Sequence, residues 1–104
     1  MPIIYHITTA AAWQQARESG WYEAPSLKEE GFIHCSEAYQ VTDILRRYFA
    51  GQQNLVKLII DTSRLQSAYV QEWSPTVQDT FPHVYGSINI SAVVAAEPLN
   101  APEG

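Results

Sequence analysis

The first half of the chain alternates between strand-like and helix-like hydrophobic patterns, whereas the second half is mostly strand-like. Residues 2–8 are predicted to form a strand, with Ile3, Tyr5 and Ile7 on one face and Ile4, His6 and Thr8 on the other. A helix is predicted over residues 10–19, because Thr8 or Thr9 can cap its start and Gly20 can end it. The chain is therefore expected to open with a strand that leads directly into a helix.

A second helix is predicted over residues 37–50, where apolar side chains recur at the spacing of one helical face: Val41, Ile44, Leu45 and Tyr48. Ser36 is the expected cap of this helix, and Gly51 is its expected end. Between the two helices, residues 26–29 fit a capping box and predict one helical turn that ends at Gly31.

Further strands are predicted at residues 32–36, 55–60, 68–73, 84–90 and 92–97. Residues 74–82 contain two prolines and are predicted to form a loop, and residues 98–104 are predicted to form a tail. Helices that cluster in the first half and strands in the second predict an α+β fold, in a single domain over residues 1–104.

Composition and charge exclude several classes of protein. With 104 residues, 46% of them hydrophobic, the chain suits one domain with its own core rather than a disordered segment. The net charge of −5 makes nucleic acid an unlikely partner, since nucleic-acid binders need a basic face. One cysteine rules out an intramolecular disulfide. Because the sequence shows neither a basic leader nor an apolar run of membrane length, no membrane association and a cytoplasmic location are expected.

The candidate chemistry starts from the segment Gly31–Ser36. Strand alternation places His34 and Ser36 on one face of this segment and Cys35 on the other. The two other histidines, His6 and His83, also lie in strand-like segments. Three histidines in such settings favour a functional site, and the alternative is that each is a core residue bonded to the backbone.

Two further chemistries have less support in the sequence. No His-x-His, His-Glu-x-x-His or Cys-x-x-Cys motif occurs, so no metal site is expected. Cys35 faces away from His34, which favours a buried apolar role over that of a nucleophile. Glu72 lies in a predicted strand, where it is either an exposed carboxylate or a functional group that holds a ribose hydroxyl or stabilises a developing cation.

Several segments in this order resemble the family called domain of unknown function 952. They are the Ile4-Tyr5-His6-Ile7 opening, Pro25-Ser26-Leu27, the stretch from Glu30 to Ser36, and Phe81-Pro82-His83-Val84-Tyr85-Gly86. The resemblance covers the chain from Ile4 to about Leu99, and the family's name states that its activity is not established.

A more distant resemblance implies a fold and a cofactor. Tyr5-His6-Ile7-Thr8 is similar to the Tyr-His-Gly-Thr opening of the RNA 2′-phosphotransferases, and residues 32–36 are similar to their Val-His-Leu-Ser strand. Those enzymes use NAD and have the ADP-ribosyltransferase fold. The resemblance implies that fold here: two packed, mostly antiparallel sheets, two main helices at the edge and an NAD-sized cleft between the sheets.

The same resemblance implies site residues. His34 and Glu72 would be catalytic, and the contacts to the cofactor would come from His6, Thr8, Ser36, His83 and Tyr85. His34 and Ser36 would line the nicotinamide half of the cleft, and Tyr85 would stack on the nicotinamide ring. Ile7 stands where the phosphotransferases have glycine, and their phosphate-holding arginines have no counterpart, so RNA dephosphorylation is not expected.

The leading hypothesis is therefore a domain that binds NAD or an ADP-ribose-like nucleotide. The implied activity is that of an NAD-dependent ADP-ribosyl transferase or an NAD glycohydrolase. Two alternatives stay open: a non-catalytic module that binds a small molecule or a peptide, and a metal-dependent hydrolase that uses His6, His34 and His83. The acceptor, the pathway and the oligomeric state are not specified by the sequence.

Overall fold

Eight strands and three α-helices make up residues 2–100, the part of the chain that the computed structural model describes. The strands are Ile3–Thr9 (β1), Trp21–Tyr22 (β2), Ile33–His34 (β3), Leu55–Asp61 (β4), Tyr69–Ser74 (β5), Asp79–Val84 (β6), Ile88–Asn89 (β7) and Val93–Leu99 (β8). The α-helices are Ala10–Ser19 (α1), Pro25–Glu30 (α2) and Val41–Tyr48 (α3), and short 3-10 turns lie at Ala38–Gln40, Thr62–Arg64 and Ile90–Ala92. The predicted α+β class is confirmed.

The strands form three antiparallel sheets, where two were expected. Two sheets have three strands each, in the orders β1-β4-β8 and β3-β6-β5, and β2 pairs with β7. The third sheet arises because the strand predicted over residues 84–90 is interrupted. Tyr85 donates its backbone N–H to Ala68 at 2.8 Å, and pairing resumes only at Ile88 and Asn89, opposite β2.

The core lies between these sheets and the helices. Its fully buried side chains come from four different strands: Ile33, Leu58, Ile60, Val84 and Ile88. Burial of each stabilises the fold by about 1.5–3 kcal/mol before entropy is counted. A second cluster joins Val41 and Leu45 of α3 to Ile7 of β1 and Leu55 of β4, which fixes α3 against the edge of the first sheet.

The start of α3 differs from the helix predicted over residues 37–50. Glu37 caps a 3-10 turn that precedes α3, and Gln40 accepts the Glu37 N–H at 2.8 Å. Ser36 is not the cap, because its backbone pairs with Tyr5 through two hydrogen bonds of 2.7 and 2.8 Å. Ser36 therefore belongs to the bridge between the two larger sheets and not to the helix.

Pro82 accounts for two boundaries that the sequence patterns misplaced. The predicted loop over residues 74–82 is shorter, because β6 already begins at Asp79 and runs through Pro82. Pro82 accepts the N–H of Cys35 at 3.0 Å, but its own nitrogen has no hydrogen to return to Cys35. The ladder between β3 and β6 therefore ends at His34, well before the predicted strand end at residue 36.

Two smaller boundaries also differ. Helix α2 starts at Pro25 with Ala24 as its cap, so the capping box at residues 26–29 is wrong; the fixed backbone angle of proline suits the first helical position. Strand β8 extends to Leu99, into the predicted tail, and residues 101–104 of that tail lie outside the described range. None of the helices within residues 2–100 is long and apolar enough to cross a membrane.

Gly86→Ala is expected to lower the free energy of unfolding by about 1–3 kcal/mol, because it overpacks a tight contact. The added Cβ would lie 2.3 Å from Ser67 Oγ and 2.9 Å from Ser67 Cβ. Urea unfolding followed by tryptophan fluorescence measures the loss. In a Ser67→Gly background both clashing atoms are gone, so the penalty should shrink. An equal penalty in the two backgrounds would contradict the clash as its cause.

Candidate functional site

The pairing of β3 with β6 sets His34 directly opposite His83. Their rings are 5.1 Å apart between centroids and nearly perpendicular, at 75°. Phe32 covers the His83 ring in a stacked arrangement, with centroids 4.1 Å apart. The two histidines that sequence reasoning singled out from distant segments thus meet on one face of the second sheet.

Each of these histidines has its own carboxylate partner. His34 Nε2 lies 2.9 Å from Glu30 of α2, and His83 Nδ1 lies 2.8 Å from Glu72 of β5. Carboxylates only accept hydrogen bonds, so Nε2 of His34 and Nδ1 of His83 carry the hydrogen. When neutral, the two rings therefore present His34 Nδ1 and His83 Nε2 as unprotonated nitrogens that can accept a hydrogen bond or a proton.

Glu72 is ionised and held from two sides. Its Oε1 atom accepts a hydrogen bond from His83 and another from the hydroxyl of Tyr85. The bonds from Tyr85 and His83 lower the pKa of the Glu72 carboxyl, and the bond to Glu72 raises the pKa of Tyr85. Tyr85 is thus a support for Glu72 in this structure, whereas stacking on a nicotinamide ring stays a prediction.

His6 occupies a different environment, in a buried chain of hydrogen bonds. Its Nδ1 lies 2.5 Å from the backbone carbonyl of His34, and its Nε2 lies 2.8 Å from the Tyr22 hydroxyl. Since a carbonyl only accepts, Nδ1 carries the hydrogen and Tyr22 donates to Nε2. The Thr8 hydroxyl, 2.9 Å from that of Tyr22, then donates to the Tyr22 oxygen. Both ring nitrogens of His6 are thus engaged within the protein.

These groups border a cleft of about 610 Å³. Five of the predicted site residues line it: His6, Thr8, His34, Ser36 and His83. Glu72 and Tyr85 are not part of its lining; Glu72 is bonded to His83, and Tyr85 is bonded to Glu72. The cleft therefore brings together most of the predicted site, with Glu72 in contact with it through His83.

Ser36 is another polar group of the cleft wall with spare hydrogen-bonding capacity, besides His34 and His83. Its residue is 6% exposed. Its backbone is held by Tyr5, but within residues 2–100 its hydroxyl makes no hydrogen bond to another group. Within residues 2–100 the only buried side-chain oxygen or nitrogen without a partner is Asp61 Oδ2, so the Ser36 hydroxyl is not sealed from solvent and can contact a ligand from the cleft.

Sequence reasoning missed the aromatic wall of the cleft and the partners of the histidines. Tyr48, Phe49 and Trp73 line the cleft, and Trp73 is 62% exposed. Periodicity assigned Tyr48 to the helix stripe, and Trp73 beside Glu72 carried no motif. Tyr22 followed a helix-ending glycine with no sign that it would reach His6. Glu30 could have been noticed, because it lies four residues before His34.

The alternative chemistries find little geometric support. Within residues 2–100, no three histidine, cysteine or acidic side chains are grouped as they would be to hold a metal ion. The three histidines do not converge, because His6 is committed to His34 and Tyr22. Cys35 is fully buried, and burial raises the pKa of its thiol well above the usual value, which disfavours the reactive thiolate.

Comparisons with known proteins identify a family and a fold. Residues 7–96 match the model of a family described as "Protein of unknown function (DUF952)". The chain is similar to the crystal structure of protein CC0527 from Caulobacter crescentus, with 31% identity, a TM-score of 0.86, and coverage of 95% of this chain and 87% of that one. A solution NMR structure of CC0527 gives 32% identity and a TM-score of 0.81, covering 96% and 86% of the two chains. No curated protein sequence matches the chain.

The buried His6 makes stability depend on pH. Burial lowers the pKa of His6 to about 4, from 6.5. Between these values the unfolded chain binds a proton that the folded chain does not. The stability associated with His6 is therefore fully present above about pH 6.5 and falls by on the order of 3 kcal/mol as the pH drops to about 4. Glu72, whose pKa is also lowered, stabilises the fold by an amount that is lost mainly at pH values below this range.

Urea unfolding at stepped pH values measures this loss. His34→Gln should keep it, because the side chain of His34 is exposed and its carbonyl still binds His6. His6→Gln should reduce it. An NMR titration of the wild-type His6 ring provides a second readout that needs no variant, and a midpoint near the ordinary value of about 6.5 would contradict the buried, neutral assignment.

Proposed function

This chain belongs to the DUF952 family, and from that premise we propose that its cleft binds NAD or an ADP-ribose-like nucleotide and transfers or hydrolyses the ADP-ribose. The observation that carries the proposal is the meeting of two histidine–carboxylate pairs, His34–Glu30 and His83–Glu72, at one cleft. His6 and Glu72, whose pKa values are both lowered, lie at or next to this cleft, and perturbed titratable groups beside a cleft of this size are typical of small-molecule sites.

The polar groups of the cleft suit a ribose. His34 Nδ1 and His83 Nε2 can accept hydrogen bonds from ribose hydroxyls, and the free Ser36 hydroxyl can donate or accept one. Trp73 and Tyr48 present aromatic surface to a base, and stacking of a base on such a ring contributes about 1–3 kcal/mol. A ligand with both a base and a hydroxyl-bearing sugar uses both sets of groups.

The proposed chemistry is cleavage of the bond between the nicotinamide nitrogen and C1′ of the ribose. The electron pair of that bond leaves with nicotinamide, and positive charge develops on the ribose. Glu72, the ionised carboxylate bonded to His83, would stabilise this charge through that ring. Water or an acceptor hydroxyl then adds to C1′ and gives its proton to His34 Nδ1.

The ADP-ribosyltransferase-like architecture is part of this proposal. It is supported by the antiparallel sheets, by the helices at their edges, and by a cleft that takes residues from β1, β3 and β6.

The non-catalytic binding module has one specific observation in its favour. Glu72 does not line the cleft and is bonded to both Tyr85 and His83, an arrangement that also serves to orient a binding histidine.

His34→Ala is expected to weaken NAD binding by about tenfold, because it removes the oriented Nδ1 atom that would accept a hydrogen bond from the ribose. The His34 side chain is 54% exposed, so its removal leaves the core intact. Saturation-transfer NMR with millimolar NAD measures binding, and Trp21→Ala, an exposed aromatic outside this cleft, is the control. No transfer to NAD from the wild-type protein would remove NAD as the ligand.

Glu72→Gln is expected to keep NAD binding but to reduce nicotinamide release by about a hundredfold, because it removes the charge that opposes the ribosyl cation. Nicotinamide release is followed by NMR over hours, with and without a chelator. Glu97→Gln is the matched control, since Glu97 is an exposed strand carboxylate paired with Lys57 at 3.2 Å. Wild-type turnover in Glu72→Gln would exclude the catalytic role. Loss of turnover with the chelator would favour the metal-dependent hydrolase instead.

A further inference from the structure

The cleft contains no lysine or arginine. All six basic side chains of the sequence lie within the described range, and none lines the cleft. Four of them face carboxylates elsewhere: Arg46 and Arg47 face Asp43, Lys57 faces Glu97, and Arg64 faces Asp61. Arg17 lies on α1 and Lys28 on α2. Proteins that hold phosphate groups normally use such side chains, so this cleft is an unusual place for a pyrophosphate.

The histidines do not make up for the missing cations. His6 is neutral because burial lowers its pKa to about 4. The His34 ring faces Glu30 and His83, and the His83 ring faces Glu72 and His34, with Phe32 stacked against it. A protonated ring in either pair would be balanced by its carboxylate. When neutral, both rings present acceptor nitrogens, which attract hydroxyl hydrogens and not phosphate oxygens.

The remaining features of the cleft match an aromatic base and a sugar. Trp73, Tyr48 and Phe49 supply aromatic surface, and Trp73 is exposed at a position where a base could cover it. The hydroxyl of Ser36, which makes no hydrogen bond within residues 2–100, lines the same cleft as His34 and His83. Uncharged stacking and hydroxyl contacts are therefore available, whereas no lysine or arginine lines the cleft to compensate the charge of a phosphate.

We propose that the cleft recognises the base and the ribose of an N-riboside and leaves the phosphates of a nucleotide in solvent. The inference rests on the proposed function, because it specifies the substrate class of the same site. On this basis the nicotinamide riboside half of NAD occupies the cleft, and the pyrophosphate projects from its mouth. A riboside without phosphates should then bind as well as the corresponding nucleotide.

The test compares dissociation constants for nicotinamide riboside, nicotinamide mononucleotide and NAD, and for adenosine and AMP, at about pH 8, where an ordinary histidine is neutral. Within each series we expect constants that agree within about threefold and change little between about 50 and 200 mM salt. Binding that strengthens by about tenfold or more with each phosphate would overturn the inference while leaving the proposed function in place. Absence of binding by every ligand would overturn both.

A cation placed in the cleft gives a second, independent readout. Val77 lines the cleft in the turn between β5 and β6, and Val77→Lys should make the mononucleotide bind about tenfold more tightly than the riboside. Val94→Lys is the matched control, because Val94 is an exposed valine on β8 that does not line the cleft. If both variants gained the same preference for the phosphorylated ligand, the overall charge of the protein would explain that preference. This result would refute the proposal that the base and the ribose occupy this cleft.

Discussion

The hydrogen bond from the buried His6 ring to the backbone carbonyl of His34 joins the first sheet to the candidate site. Beside it, the backbone of Ser36 pairs with Tyr5, so β1 holds the chain on both sides of Cys35. This attachment is needed because β3 is only two residues long and has no further ladder to fix its direction. The bond also requires a hydrogen on His6 Nδ1, and this determines the direction of every hydrogen bond out to Thr8.

The ladder between β3 and β6 ends where it does because Pro82 cannot donate a hydrogen bond to Cys35. Along this segment the backbone groups of Cys35 face β6, whereas those of Ser36 face the opposite edge, where they pair with Tyr5. The segment therefore contacts β6 through Cys35 and β1 through Ser36, beside the cleft that residues of β1, β3 and β6 line. A proline within a central strand is normally unfavourable, and here its position at the end of a neighbouring strand makes it acceptable.

Much of the fold was predictable from local patterns, because those patterns have local causes. The helix from Ala10 to Ser19 and its ends at Thr9 and Gly20 follow from capping chemistry within a few residues. The cap assigned to Ser36 was wrong because a backbone partner more than thirty residues earlier in the chain decides its conformation. The third sheet was missed for a similar reason, since β2 and β7 are each two residues long and exist only through their pairing with each other.

In the candidate site, too, the features with local causes were predictable, whereas those set by distant parts of the chain were not. The sequence singles out three histidines in similar apolar segments, but it cannot assign them different roles, because those roles come from partners on other elements. His6 is neutral and saturated by Tyr22 and a carbonyl, whereas His34 and His83 are oriented by carboxylates and keep one nitrogen free. A ring with no free nitrogen can support a site but cannot accept a proton in it. The chemistry of the cleft therefore depends on His34 and His83, and His6 contributes by fixing where His34 lies.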